Sequence, residues 1–291
     1  MGFPMSVLKP QITIRPAVPQ DRQRLANLIH FEIHVHRHLD WRAPLDWIGY
    51  PPYLVYEQRK NLLAVLACPP DPPQVGWIRL FAVAHNLPVD MAWESLWSET
   101  RLLFEDLPEV RWVAALSLWP WLNLVLEKAG FVEDSRVVML QWERGSPLPD
   151  EGSPDTVVRP MNFDDLGLVQ EIDNAAFAPL WQNSRPSLEL AYRQAAVATV
   201  AEKEGSLVGY QISTATPLGG HLARLAVLPA YQGNGIGRAL LHDLLLQFKR
   251  RGAQKVTVNT QNDNPISLRL YQKSGFILTG EEYPVYLYDL N

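Results

Sequence analysis

The chain has 291 residues, 47% hydrophobic and 20% charged, with a formal net charge of −5. That length allows two domains with a core each, and the charge is spread evenly: residues 1–150 hold 14 basic and 17 acidic side chains, residues 151–291 hold 12 and 14, so no basic domain or arm invites nucleic acid. One cysteine, Cys68, excludes an internal disulfide framework, and with neither a secretory leader nor a membrane-length apolar run the expectation is a soluble, cytoplasmic protein with no membrane partner.

Residues 1–11 contain Pro4 and Pro10 without periodicity and are expected to be a frayed terminus. Residues 12–16 alternate like a strand, and Asp21 caps a helical stripe through Ile29. His30, His34 and His38 recur every four residues, so a continued helix would align them as a candidate zinc or nickel ladder. No cysteine or carboxylate cluster completes such a shell, and Phe31, Ile33 and Val35 interleave, so partly buried or groove-lining histidines are the preferred reading and no metal is expected. Residues 53–56, 62–66 and 75–83 read as three strands. The turn after them, residues 84–90, has no glycine. Nine of the ten tryptophans lie in residues 1–145, which points to a large apolar or interface surface. Residues 144–155 are rich in proline, glycine and acid, and read as a linker.

The second half repeats the first. Arg15, Pro16 and Asp21 recur 144 residues later as Arg159, Pro160 and Asp165, and residues 126–131 (LEKAGF) are echoed 145 residues later by residues 271–276 (YQKSGF). Two ends matched at nearly one offset argue for a duplicated domain, giving boundaries of 1–145, a linker at 146–156, and 157–291. Strands at 198–201, 207–212 and 222–227 correspond to the three in the first copy, and final strands are expected at 276–278 and 284–288.

The copies differ in residues 221–238, HLARLAVLPAYQGNGIGR, where a strand is stopped by Pro229 and three glycines, Gly233, Gly235 and Gly237, lead into a helix. Such a turn brings backbone N–H groups close to a ligand, and the helix start adds unpaired donors and the positive dipole end, so it is an anion cradle. The spacing is neither the dinucleotide-binding nor the Walker pattern. Farther on, residues 255–259 form a strand, and Pro265 to Lys273 with Gly275 beyond form a short glycine-capped helix that sets Asn264 and Tyr271 on one face.

The spacing Gln232-x-x-Gly235-x-Gly237 after LAVLPAY resembles the pyrophosphate signature of the GCN5-related N-acetyltransferases (GNAT), and Asn264-x-x-Ser267-x-x-x-Tyr271-x-Lys273-x-Gly275-Phe276 resembles their last helix. The resemblance implies an α/β fold with mixed sheets in two tandem GNAT-like domains, the first degenerate: its turn lacks glycine, and Leu126 stands where the second copy has Tyr271. It implies acetyl-CoA as cosubstrate, with its diphosphate on the N–H groups of Gln232, Gly233, Asn234, Gly235, Ile236, Gly237 and Arg238, and its thioester carbonyl at Leu225, Ala226 and Val227. Asn264, Ser267 and Tyr271 complete the cofactor site, and Tyr271 is the general acid for the departing thiolate. The loop between the first two helices walls the acceptor cleft in that family, which makes Trp181 either a substrate contact or a buried anchor. Ribosomal-protein alanine acetyltransferases, similar in the last helix, carry a catalytic glutamate where this chain has Asn259, leaving His221 or a water chain as base. The implied reaction is direct acetyl transfer to a primary amine, on a small molecule or a peptide N-terminus. A non-catalytic acyl-CoA sensor or scaffold stays open. So do a mycothiol-synthase-like action on a cysteinyl sugar conjugate and a homodimer.

Overall fold

The structure, a computed structural model, describes residues 12–217 and 219–291; the frayed terminus expected for residues 1–11 lies outside them. The chain divides into two compact units, one reaching Val132 and joined by Tyr286–Asn291, the other Glu133–Val285. These are not the consecutive stretches 1–145 and 157–291 read from the sequence. Residues 133–143 and the linker go with the second unit, and residues 286–291 go with the first.

The first unit contains β1 (Ile12–Pro16), α1 (Arg22–Phe31), β2 (His34–Arg37), β3 (Tyr53–Gln58), β4 (Asn61–Ala67), β5 (Val75–Trp77), β6 (Leu80–Val83), α2 (Val89–Glu105), β7 (Trp112–Leu116) and α3 (Pro120–Lys128). Five strands form a sheet in the order β1-β3-β4-β6-β2, and β5 pairs with β7 in parallel. The single strand expected over 75–83 is broken because the chain changes partners: Ile78 N–H donates to Ala114 O and Arg79 N–H to Ala67 O, both at 2.8 Å. The histidine ladder does not form, since α1 ends at Phe31 and His34 opens β2. Instead β2 runs antiparallel along β6, with His34 opposite Val83 and Arg37 opposite Leu80. The tryptophans serve the core more than the surface: Trp47, Trp77, Trp93 and Trp97 are buried, while Trp119 is exposed. Trp97 stacks on Trp93 at 5.6 Å and meets the ring of Tyr288 edge-on at 5.1 Å, and Tyr286 OH donates to Glu127 Oε1 at 2.7 Å. These contacts hold the last residues of the chain in this unit.

The second unit contains β8 (Val132–Glu143), β9 (Thr156–Pro160), α4 (Leu166–Ala176), α5 (Arg185–Gln194), β10 (Val197–Lys203), β11 (Ser206–Thr216), β12 (Gly219–Val227), α6 (Ile236–Arg250), β13 (Lys255–Gln261), α7 (Pro265–Lys273) and β14 (Ile277–Asp289). Its strands run in the order β14-β8-β13-β12-β11-β10-β9. Strand β8 is antiparallel to β13 along that strand's whole length, from Lys255 opposite Glu143 to Gln261 opposite Val137, and it sends Leu140 and Trp142 into a core with Leu241, Leu244, Leu245, Phe248, Val256 and Val258. β14 is continuous where two strands were expected.

The duplication survives in detail. Arg15 holds Asp21 at 2.7 and 3.0 Å and Glu57 through Nε at 2.9 Å; Arg159 holds Asp165 at 2.7 and 2.9 Å and Glu202 through Nε at 2.8 Å. In both places hydrogen bonds from the arginine keep the aspartate below the usual carboxylate range. Among the described residues no helix is long and apolar enough to cross a membrane.

Candidate active site

The glycine turn sits between β12 and α6. Gly233 and Gly235 are left-handed, at φ 79° and 80°, a conformation that side chains with a Cβ rarely adopt. Nothing lies within 4 Å of where a Cβ on Gly233 would stand, so the turn is open there, while a Cβ on Gly237 would meet Leu270 Cδ2 at 3.3 Å, so that glycine lets α6 and α7 approach. Gly235 is the N-cap of α6 and no side chain caps the helix. The backbone N–H groups from Gly233 to Gly237 have no hydrogen-bond partner among the described residues, and a run of free donors at a helix start is what an anion needs. The neighbouring polar side chains are spent on the turn itself: Gln232 Nε2 donates to Val227 O at 3.0 Å, and Asn234 Nδ2 to Tyr231 O at 3.3 Å. Arg238 is turned to Asp150 at 2.7 Å and its N–H donates to Gly235 O at 3.1 Å, while Gln232 N–H donates to Pro229 O at 3.3 Å, so the free donors expected from Gln232 to Arg238 narrow to residues 233–237.

Beside the cradle the sheet splays. β12 pairs with β13 only from Gly219 opposite Lys255 to Leu222 opposite Val258. Beyond that point Leu225, Ala226 and Val227 keep their pairing with β11, and among the described residues no strand takes their other edge. A slot with main-chain donors and acceptors along one side follows. Helix α7 borders it: Asn264 caps the helix, its side chain accepting from Ser267 N–H at 3.0 Å, which is the capping preference of asparagine. Tyr271 is 5% exposed, its ring 5.7 Å from that of Phe276. Burial pushes its phenol above the ordinary range and the charge of Arg224 pulls the other way. It therefore carries its proton at neutral pH.

The face of β12 that carries Arg224 holds a cluster that composition and motif did not reveal. Arg224 pairs with buried Asp173 of α4, reaches Trp181 O at 2.6 Å, and lies 3.5 Å from the centroid of the Phe177 ring; Tyr210 OH donates to the same carboxylate. An acid and a base of opposite sign inside apolar periods, on a helix and a strand, were the sequence signal for this pair. Trp181 is half-buried, tethered here by its backbone carbonyl. His221 Nδ1 is 2.9 Å from Thr257 Oγ1, and burial lowers its pKa, so the imidazole is neutral. Asn259 Oδ1 is enclosed without a hydrogen-bond partner among the described residues. An enclosed acceptor left unpaired is costly unless a ligand or water completes it.

The corresponding place in the first unit is built otherwise. Leu80, Phe81, Ala82 and Val83 stand 144 residues before Arg224, Leu225, Ala226 and Val227, but the edge left open on β12 is taken on β6 by β2. The connection from β6 to α2 contains no glycine.

Residues 167–276 match the Acetyltransferase (GNAT) family. Over 84 residues the chain is 40% identical to the N-alpha-acetyltransferase RimI of Mycobacterium tuberculosis, covering 28% of this chain and 51% of that protein. Over 118 residues it is 27% identical to a putative ribosomal protein bS18-alanine N-acetyltransferase of Bacillus subtilis, covering 40% of this chain and 78% of that protein. The chain thus spans about half the length of two of the curated relatives it matches. Among solved structures, a tandem GNAT protein from the clavulanic acid biosynthesis pathway aligns over 97% of this chain and 99% of its own, with a TM-score of 0.60 and 14% identity. That likeness is one of fold.

Proposed function

We propose that this chain is a member of the Acetyltransferase (GNAT) family, which residues 167–276 match, and that its second unit transfers an acetyl group from acetyl-CoA to a primary amine, on a small molecule or a peptide N-terminus. The observation that carries the proposal is the run of unpaired N–H groups from Gly233 to Gly237 next to the open edge of Leu225, Ala226 and Val227. The first suits a diphosphate and the second an extended amide chain. Acetyl-CoA supplies the activated acyl thioester.

The chain's own residues then have separate tasks. The cradle and the β12 edge hold and orient the cosubstrate. Tyr271 keeps a proton beside the slot for the leaving sulfur. Asn259 Oδ1 accepts an N–H of the incoming amine, which aims the nitrogen lone pair without removing a proton. His221, neutral and bound to Thr257, lies on the same strand as the slot edge and is the candidate to take the proton the amine gives up. The first unit, with its edge filled by β2, has no part in cofactor binding.

A second reading, an acyl-CoA sensor without turnover, is favoured by one observation: an amide, which cannot act as a base, stands at Asn259. Calorimetry with acetyl-CoA and thiol release on offering an amine panel separate the two. The expected result is one acetyl-CoA per chain and thiol release with at least one amine. Binding without release for every amine would favour the sensor, and no binding would overturn both readings.

A further inference from the structure

The linker is bound along α6. Trp142 Nε1 donates to Pro147 O at 3.2 Å, and Leu148 packs against the core that holds Leu241 and Leu245. His242 Nδ1 lies 2.6 Å from Pro149 O, a carbonyl that can only accept, so that nitrogen carries the proton. Asp150 accepts from Gly152 N–H at 3.0 Å and from Arg238 at 2.7 Å. Gly152 is left-handed at φ 74°, and a Cβ placed on it would stand 2.8 Å from Ala239 N and 3.2 Å from Ala239 Cα, with Gly235 O closer still. The residues touched on α6, Gly235, Arg238, Ala239 and His242, follow helical spacing along one face.

This contact falls on the residue that shapes the cradle. Gly235 must hold a left-handed turn at a helix start that no side chain caps, and a Cβ there would lie 3.0 Å from Ser153 N. The turn is therefore open on the side of Gly233 and backed by main chain on the side of Gly235. The Asp150 to Arg238 ion pair is half-exposed and contributes little by itself. Close packing of main chain on main chain, possible only because residue 152 is glycine, is what fixes the distance between strap and turn.

We propose that residues 147–153 are a working part of the cosubstrate site: a strap that keeps the glycine turn in its anion-binding shape, with Gly152 as its positioning residue. The proposal rests on the reading of the cradle as the acetyl-CoA site. It treats the linker as a determinant of affinity, where a tether would affect only how the domains are joined.

The test compares Gly152→Ala with Gly145→Ala in the full chain, the latter at a linker glycine with nothing within 4 Å of its Cβ position. Both are read by the Kd for acetyl-CoA and by KM and kcat with a reactive amine. Gly152→Ala is expected to raise Kd and KM for acetyl-CoA about tenfold, with kcat at saturation within about twofold of wild type; Gly145→Ala is expected to leave all three at wild-type values. If Gly152→Ala does not fold, the double variant Asp150→Ala with His242→Ala, which removes one exposed and one half-buried anchor, is expected to raise Kd severalfold. A merely structural role would lower the melting temperature and leave the folded fraction with wild-type Kd, and that outcome, or unchanged Kd in both variants, overturns the strap while leaving the cosubstrate reading in place. Failure of the wild-type chain to bind acetyl-CoA overturns the reading and the strap together.

Discussion

Arg224 and Asp173 meet in a two-point ion pair, Nε to Oδ2 at 2.7 Å and Nη2 to Oδ1 at 2.9 Å, with the carboxylate fully buried. Asn183 N–H donates to the same carboxylate at 2.8 Å, so one ion pair fastens α4 and β12 together and draws in the loop that carries Phe177, Trp181 and Asn183. Removing either member leaves the other buried without its counter-charge.

Asp173→Asn keeps the shape and removes the counter-charge, leaving a buried guanidinium without an anion. Unfolding free energy should fall by about 3 kcal/mol or more. Arg22→Ala, which breaks an ion pair with Asp46 whose side chains are 56% and 50% exposed, should cost less than about 1 kcal/mol. Urea denaturation of the two variants measures both, and equal losses would contradict the assignment.

Tyr271→Phe retains the packed ring and deletes the proton. With burial holding the phenol protonated, kcat should fall about a hundredfold while the Kd for acetyl-CoA stays within about twofold. Single-turnover rates are the measurement, because slow product release would mask the loss.

A fragment of residues 157–291 should fail to fold, and one of residues 133–285 should succeed. The first lacks β8, which covers the edge of β13 and buries Trp142, together with the linker; a bare central strand edge is an aggregation site. The second keeps the whole unit. Soluble expression and circular dichroism decide, and a folded 157–291 fragment would refute the dependence on β8.

These fragments also mark how far the sequence could be read. Both ends of the repeat, the glycine turn and the Asn264 to Gly275 helix were legible, because each depends on local backbone chemistry: an acid beside an Arg-Pro pair, glycines where φ is positive, a cap and a stop. The membership of β8 was not legible, since strand pairing is non-local and residues 132–143 alternate acceptably for either sheet. The His30, His34 and His38 spacing misled for a related reason. A period of four reads as helix, but tertiary pairing with β6 took residues 34–37 as strand. At the site, a charge inside an apolar period marks Arg224 and Asp173 separately, but their pairing across 51 residues is non-local and was not legible.

Acid should weaken the first unit. His36 is fully buried, its Nε2 donating to Ile78 O at 3.1 Å, and burial lowers its pKa to about 4; neighbouring His38 is pushed the same way by burial and by Arg79. The unfolded chain, with histidine near about 6.5, binds the proton more readily, so the contribution is complete above that pH and is lost as pH falls toward 4, by at most roughly 3 kcal/mol for His36. His36→Gln can keep the bond to Ile78 without titrating, and should show a shallower decline of melting temperature between pH 7 and 5. An identical decline would exclude His36 as the source.

The placement of β2 along β6 bears on how freely the two halves of this chain can change. Placing glycines in the connection between Val83 and Val89 would give a turn but not a slot, because the strand edge is already paired. Freeing the edge alone would strip hydrogen bonds from β6 and gain nothing without the turn. Two alterations, each harmful or idle by itself, separate the first half from the turn and open edge of the second. The second half carries the opposite exposure: among the described residues no strand takes the free edge of Leu225, Ala226 and Val227, and any segment that paired there would close it.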